Sequence, residues 1–160
     1  HTYSQEYAEN QLAYIMGGRV AEEIIFKMRT TGAGNDIEKA TELAHNMVCK
    51  WGMSEKAGPL NYAKKEGQSF LGKDGGKNGD YSDQTSELID LEVRRFIQEN
   101  HDRAKKLLED NVDQLHNLAE ALLKYETVDA DEVEAAVRGE SLPKKEAQLS
   151  KQQEGASSVA

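Results

Sequence analysis

The sequence has only one cysteine, Cys49, and two prolines, and these scarcities limit what the chain can be. A lone cysteine excludes an internal disulfide framework and a metal site built on a Cys-x-x-Cys pair, and it suits a reducing compartment. Aromatic residues make up 6% of the chain, whereas Glu, Lys, Leu and Ala are abundant. Because these four are strong helix formers, the composition predicts a helical protein of about one domain's length.

Basic side chains and long apolar runs are also scarce. Lys and Arg number 20 against 29 Asp and Glu, which gives a formal net charge of −9. Nucleic-acid binding requires a basic face for phosphate contact, so we expect no nucleic-acid partner. No apolar run approaches the ~20 residues of a membrane helix and no signal peptide is recognisable, so this segment is expected to be soluble, without membrane contact of its own. Starting on His1 rather than methionine is typical of a piece of a longer protein.

Apolar periodicity predicts an all-α fold, a bundle of about five helices, with room for a small β-hairpin near residues 60–71. Residues 138–160 have too little apolar surface to offset the entropy of ordering, so they are predicted to be a disordered tail. The predicted helices run from a cap at Ser4 to about Lys27, from Asn35 to Trp51, for about 28 residues after a cap at Ser82, from Val112 to Tyr125, and briefly after an Asp129–Glu132 capping box.

The most informative stretch is the glycine-rich loop at residues 30–34 and the helix that follows it. Asn35 is a good N-cap, and Glu38 three residues later completes the pattern of a capping box. Cys49 falls on the side of this helix opposite its apolar stripe and is expected to be an ordinary thiol. The stripe spans an arc of about 140° that must be buried. Its members are Ile37, Ala40, Leu43, Ala44, Met47, Val48 and Trp51.

Asp36 lies in the first turn of this helix, in line with the stripe, and two interpretations of its carboxylate remain open. A negative charge at a helix N-terminus is stabilised by about 0.3–1 kcal/mol, which would make it structural. A carboxylate at the rim of a buried face, beside a Gly-rich loop, is also typical of a ligand or a catalytic group. His45 projects from the opposite side of the helix, so these two side chains are not expected to bind one ion.

The first predicted helix carries polar residues within a nearly continuous apolar surface, and such a surface predicts a central position. Gly17 and Gly18 lie mid-helix, where glycine costs about 1 kcal/mol relative to alanine, and so indicate close approach by a neighbouring backbone. Arg19 can reach Glu22 and Glu23, three and four residues further on. Because unpaired charge is costly in apolar surroundings, either a paired network or a polar site is expected here.

Several short motifs, in unbroken order over residues 1–137, resemble those of one family. The chain is similar to the peptidase domain of the FtsH-type ATP-dependent zinc metalloproteases, peptidase family M41, which are membrane-anchored AAA+ proteases. The motifs are Gly17-Gly18-Arg19-Val20-Ala21-Glu22-Glu23-Ile24, Thr31-Gly32-Ala33-Gly34-Asn35-Asp36, Trp51-Gly52-Met53-Ser54, Gly58-Pro59-Leu60 and Tyr125-Glu126-Thr127.

The resemblance implies a zinc site to which this chain contributes one ligand. In the family, two histidines of an HExxH helix and one distant aspartate bind zinc, and the HExxH glutamate is the general base. The matching motif makes Asp36 the third zinc ligand, with Glu22 as the runner-up. The 160 residues contain no HExxH, so no catalytic residue is expected among them. Residues 1–137 are then the C-terminal portion of the metallopeptidase domain, inactive alone.

The resemblance also implies partners of the intact protein. It is expected to be a membrane-anchored homo-hexamer, with its protease domain in the bacterial cytoplasm or in an organelle's matrix or stroma. A separate ATPase module would bind ATP and thread unfolded or membrane proteins into a chamber for processive degradation. The alternative is a non-catalytic helical oligomerisation module of a degenerate FtsH-like protein.

Overall fold

The structure is a computed structural model that describes residues 2–62 and 81–157. Within these ranges it contains no β-strand, so the prediction of an all-α fold is confirmed. None of the helices in the described ranges is long and apolar enough to cross a bilayer. The helices are α1 (Gln5–Phe26), α2 (Gly34–Cys49), α3 (Asp83–Asp110), α4 (Val112–Tyr125), α5 (Ala130–Val137) and α6 (Pro143–Ser157), and a 3-10 turn (Thr31–Ala33) precedes α2.

Three helices begin at the caps that the sequence predicts. The Ser4 hydroxyl accepts a hydrogen bond from the backbone N–H of Tyr7, and Ser82 starts α3 in the same way. At α5 the Asp129 carboxylate accepts from the Glu132 N–H, while the Glu132 carboxylate accepts from the Asp129 N–H, both at 2.9 Å. Each bond satisfies a backbone donor that the helix leaves without a partner, so these starts are encoded locally.

Replacing Asp129 by alanine is expected to lower the free energy of unfolding of the C-terminal helices by about 1 kcal/mol, because one half of the capping box is lost. Asp131→Ala removes a carboxylate from the same first turn but no cap bond, and should change it by less than about 0.5 kcal/mol. Urea unfolding of residues 1–160 followed by circular dichroism measures both. Equal losses of unfolding free energy in the two variants would show that the hydrogen bond of the cap adds no stability beyond that of a negative charge in the first turn.

The chain divides into two compact units, residues 1–106 and 107–160. In the first, α1 and α2 pack against each other, and α1 buries one stripe at i, i+4 spacing. The opposite side of α1 is open, and Tyr14 there is 80% exposed, so the predicted central position is wrong for the described residues. The core of this unit consists of Ala8, Leu12, Met16, Ala40, Ala44, Met47, Val48, Cys49, Ala57, Ile89 and Phe96.

The apolar stripe of α2 is buried in its middle and exposed at both ends. Ile37 is 43% exposed because the first turn of α2 extends past the core. Trp51 is 44% exposed because α2 ends at Cys49, two residues before it, so Trp51 leaves the helical spacing. The buried part of the stripe comprises Ala40, Ala44, Met47 and Val48.

The segment after α2, residues 50–62, turns back over the end of that helix. Gly52 has φ +60, and a Cβ there would lie 3.1 Å from the backbone of Pro59, so only glycine fits this turn without strain. The backbone N–H of Tyr62 then donates to the Cys49 carbonyl at 2.8 Å. Leu60 to Tyr62 are not in a strand, and the rest of the predicted 60–71 hairpin lies outside the described residues.

Cys49 is fully buried, although the sequence places it opposite the apolar stripe, and it belongs to the core that α1, α2, α3 and this returning segment form together. Its sulfur lies 3.5 Å from Nε2 of His45. Burial raises the pKa of the Cys49 thiol above its usual range, and the nearby Asp90 carboxylate raises it further. A thiol held in its neutral form is a poor nucleophile, so the expectation of an ordinary thiol agrees with its chemistry but not with its location.

α3 brings a carboxylate into this core. Glu92 is 2% exposed, and its oxygens lie 2.7 Å from Nε of Arg95 and 4.0 Å from Nζ of Lys56. The Arg95 guanidinium also lies over the Phe96 ring, 4.4 Å from its centroid. A buried charge is costly without partners, and these two cations provide them. Through Lys56 the pair also connects α3 to the 50–62 segment.

The second unit contains α4, α5 and α6 around a small core of Ala121, Ala136 and Leu142. The structure differs here from the predicted disordered tail at 138–160, because Pro143 to Ser157 form α6. Buried Leu142 holds the start of this helix, where Pro143 stands at a favourable first position. Lys145 pairs with Glu132 at 3.8 Å in addition. Composition alone does not reveal such contacts to specific residues.

Candidate metal centre

The 3-10 turn at Thr31–Ala33 continues directly into α2, whose N-cap position lies two residues earlier than the sequence predicts. Asn35 is already inside the helix, so its predicted role as N-cap is wrong. Ala33 occupies the cap position, and no side chain caps the helix there. Asp36 therefore lies in a first turn whose backbone donors have no side-chain partner among residues 2–62 and 81–157, a favourable place for a negative charge.

The Asp36 side chain faces α1 and is partly exposed. One of its carboxylate oxygens, Oδ2, is 3.9 Å from the position that a Cβ on Gly18 would take. A Cβ on Gly17 would meet Ala104 of α3 at the same distance. Both are ordinary van der Waals distances, so an alanine would fit at either position and the two glycines do not mark an unusually close backbone approach.

Within the part of the chain that the structure describes, the Asp36 carboxylate accepts no hydrogen bond and joins no ion pair. The helix N-terminus stabilises the carboxylate without such bonds. Its unpartnered oxygens beside Gly18 are at the same time available to a ligand from outside these residues.

The charged residues near the end of α1 form a paired network, one of the two alternatives that the sequence left open, although Glu22 bonds a different partner from the one expected. Arg19 pairs with Glu23, with Nε and Oε1 3.3 Å apart, and Arg29 pairs with the same oxygen at 3.1 Å. Glu22 does not pair with Arg19 but accepts a hydrogen bond from the Thr30 hydroxyl. With Met28 and Ala33, these side chains line a depression too tight for a water molecule.

A sequence model of the family described as Peptidase family M41 matches residues 1–136. The chain belongs to peptidase family M41. It is 49% identical over 143 residues to the ATP-dependent zinc metalloprotease FtsH of Acidobacterium capsulatum, which covers 89% of this chain and 22% of that protein. It is 50% identical over 137 residues to FtsH 1 of Bdellovibrio bacteriovorus, covering 85% and 21%. The chain thus spans about a fifth of the length of these curated relatives.

The relatives' names include zinc, so we asked whether the residues of this M41 chain are suitable zinc ligands. A carboxylate oxygen is a suitable zinc ligand, and Asp36 presents one without a competing partner. Among residues 2–62 and 81–157, no three His, Cys, Asp or Glu side chains come together as a metal site. Asp36 therefore fits as one ligand of a zinc site, but one carboxylate cannot hold the ion by itself.

Glu22 is a poorer fit for zinc than Asp36. Its carboxylate is partly buried and already bonded to Thr30, and using it as a ligand would break that bond. Neither Thr30 as a partner of Glu22 nor Arg29 as a partner of Glu23 was predicted from the sequence. Thr30 is eight residues from Glu22, and Arg29 is six residues from Glu23, across a loop. Helical spacing predicts only pairs three or four residues apart, so it could not predict the pairs that cross a loop in this M41 chain.

Proposed function

We propose that residues 1–137 are the C-terminal portion of the peptidase domain of an ATP-dependent zinc metalloendopeptidase, and that Asp36 is its third zinc ligand. The unpartnered Asp36 carboxylate beside Gly18 is the observation that carries this proposal. The similarity to relatives named ATP-dependent zinc metalloproteases supports it.

In this proposal the remaining zinc ligands are two histidines outside these 160 residues, and the general base is the glutamate between them. An ATPase module, also outside them, binds ATP and drives unfolded or membrane proteins towards the peptidase site. The intact protein is a membrane-anchored homo-hexamer whose protease domain lies in the bacterial cytoplasm or an organelle's matrix or stroma. Residues 1–137 add a helical scaffold and part of the contact surface between subunits.

Asp36 would hold one position of the zinc, and the chemistry that the ion would supply in such a site is polarisation of the scissile carbonyl and activation of water. The contribution of this chain is to hold one carboxylate oxygen of Asp36 in place on α2, since three protein ligands leave one position open for the reaction. No residue among residues 1–160 moves a proton in this scheme. The chain alone should therefore not hydrolyse peptides.

Zinc titration tests the division of the site between two pieces of polypeptide. Residues 1–160 alone are expected to bind zinc no more tightly than a single carboxylate does, with no stoichiometric uptake at micromolar concentrations. The comparison is a chimera in which residues 1–136 replace the matching segment of the Acidobacterium capsulatum FtsH, which should bind one zinc per subunit. The 49% identity makes the replacement structurally conservative.

Competition with a chromophoric chelator measures both affinities. Tight one-to-one binding by residues 1–160 alone would contradict the divided site. A chimera that assembles but holds no zinc would instead favour the non-catalytic oligomerisation module.

A further inference from the structure

We propose that Glu22, Glu23, Arg29 and Thr30 are positioning residues that fix Asp36 relative to α1. We call their contacts the loop anchor: the Thr30–Glu22 hydrogen bond and the ion pairs of Glu23 with Arg19 and Arg29. This inference rests on the proposed role of Asp36 as a zinc ligand. It assigns these carboxylates a role in holding the metal-binding turn, not in binding the metal.

The loop anchor joins the two ends of the turn between α1 and α2. α1 ends at Phe26, and Lys27 then takes a left-handed conformation with φ +52, which redirects the chain. Glu22 and Glu23 lie in the last turns of α1, before this change of direction. They reach Thr30 and Arg29 after it. The loop is therefore tied to the helix it has just left.

The first turn of α2 benefits from such a tie because it lies outside the core, between buried Ala33 and buried Ala40. No side chain caps the helix, and Asn35 and Ile37 are exposed. The first buried residue of α2 is Ala40, more than one turn after Asp36. Ala33 is the buried residue before it, 3% exposed. An uncapped first turn outside the core frays readily unless other contacts restrain it.

The anchor acts on Asp36 through continuous helical backbone. Thr30 immediately precedes the 3-10 turn, which runs without a break into α2, so a restraint at Thr30 carries to Asp36 six residues later. The contacts tie the loop to α1, and Gly18 of the same helix is the neighbour of the Asp36 carboxylate. The anchor thus fixes Asp36 relative to the surface it faces.

Positional precision, more than overall stability, is the expected result of these contacts. Arg29 is 77% exposed, and exposed ion pairs contribute little to folding. Metal affinity is more sensitive, because a ligand displaced by a fraction of an ångström no longer meets the ion at its preferred distance. Loss of a group that hydrogen-bonds directly to a metal ligand typically weakens metal affinity by about 10–100-fold. The loop anchor touches Asp36 only through the backbone, so we expect its loss to fall at the lower end of that range.

Thr30→Val in the chimera tests the anchor, because valine keeps the shape of threonine and removes its hydroxyl. We expect the zinc dissociation constant to rise by about 10-fold, with an unchanged melting temperature of the zinc-free protein. Thr30→Ser keeps the hydroxyl and should restore affinity to within about twofold. Thr41→Val is the matched control, since Thr41 is on α2 but donates its hydroxyl only to the Ile37 carbonyl, at 2.7 Å. It should leave zinc affinity unchanged.

A double-mutant cycle with Asp36→Ala shows whether Thr30 acts through Asp36. In the Asp36→Ala background, Thr30→Val should weaken zinc binding no further. An equal loss with and without Asp36, or a loss in Thr41→Val as large as in Thr30→Val, would overturn the anchor. A Thr30→Val chimera with unchanged zinc affinity would also overturn the anchor, but it would not contradict the proposed role of Asp36 as a zinc ligand. If Asp36→Ala itself leaves zinc affinity unchanged, the proposed function fails, whatever Thr30 does.

Discussion

Replacing Asp36 by alanine in the chimera is expected to abolish peptide hydrolysis while ATP hydrolysis continues. Removing one of the three proposed protein ligands should weaken zinc binding and lower peptidase activity by at least about a hundredfold, more than the loss of a supporting group. ATP hydrolysis depends on a different module, so it should stay within about twofold of the unmodified chimera. Degradation of an unfolded fluorescent substrate and phosphate release measure the two activities.

Glu38→Ala is the matched control for this substitution. It removes a carboxylate from the same turn of α2, but Glu38 is exposed and is not assigned to the metal site. We expect both activities to be retained. Proteolysis that survives Asp36→Ala would exclude Asp36 from the site. An equal loss of activity in Glu38→Ala would show that removing a negative charge near the start of α2, and not removing a metal ligand, causes the loss.

Replacing Phe96 by alanine is expected to lower the free energy of unfolding of the first unit by about 3–5 kcal/mol. Phe96 is fully buried in the core of that unit, and its removal leaves a cavity while depriving the Arg95 guanidinium of the ring beneath it. Few small domains tolerate such a loss, since their total stability is about 5–15 kcal/mol. Urea unfolding of residues 1–160 measures the change, and Trp51, the only tryptophan, reports on this unit.

Leu91→Ala on the same helix is the control, because Leu91 is 56% exposed. It should change the free energy of unfolding by less than about 1 kcal/mol. Similar losses from both substitutions would mean that Phe96 does not occupy a packed core.

Features set by neighbouring residues could be predicted from the sequence. The caps at Ser4, Ser82 and Asp129 bond backbone groups three residues away, and these short patterns are visible in the chain itself. The Arg19–Glu23 pair follows helical spacing for the same reason. The all-α fold follows from apolar residues that recur with the helical period.

Features set by distant parts of the chain were not predictable in this way. Asn35 has the right side chain for a cap, but the 3-10 turn before it moves the helix start to Gly34. Cys49 is buried in a core that the 50–62 segment helps to form, and periodicity within α2 contains no information on that segment. α6 forms in a polar stretch because Leu142 and Lys145 find partners on earlier helices.

The candidate site shows the same division. From its position in the first turn of α2, Asp36 could be either a structural carboxylate or a metal ligand. Only the resemblance to a family favoured the role of a metal ligand. The structure adds the side that its carboxylate faces, next to Gly18. Thr30 and Arg29 were missed, since their contacts cross a loop of no fixed spacing.

The buried sulfur of Cys49 gives the chain a natural reporter of local opening. Chemical labelling reagents need access to the thiolate, which both the covering segment and the raised thiol pKa deny them. The rate of labelling under native conditions therefore measures how often the first unit opens enough to expose Cys49, including openings in which residues 50–62 lift from the end of α2. Since Gly52 and the Tyr62–Cys49 hydrogen bond hold that segment down, the same rate follows the integrity of the Trp51-Gly52-Met53-Ser54 motif.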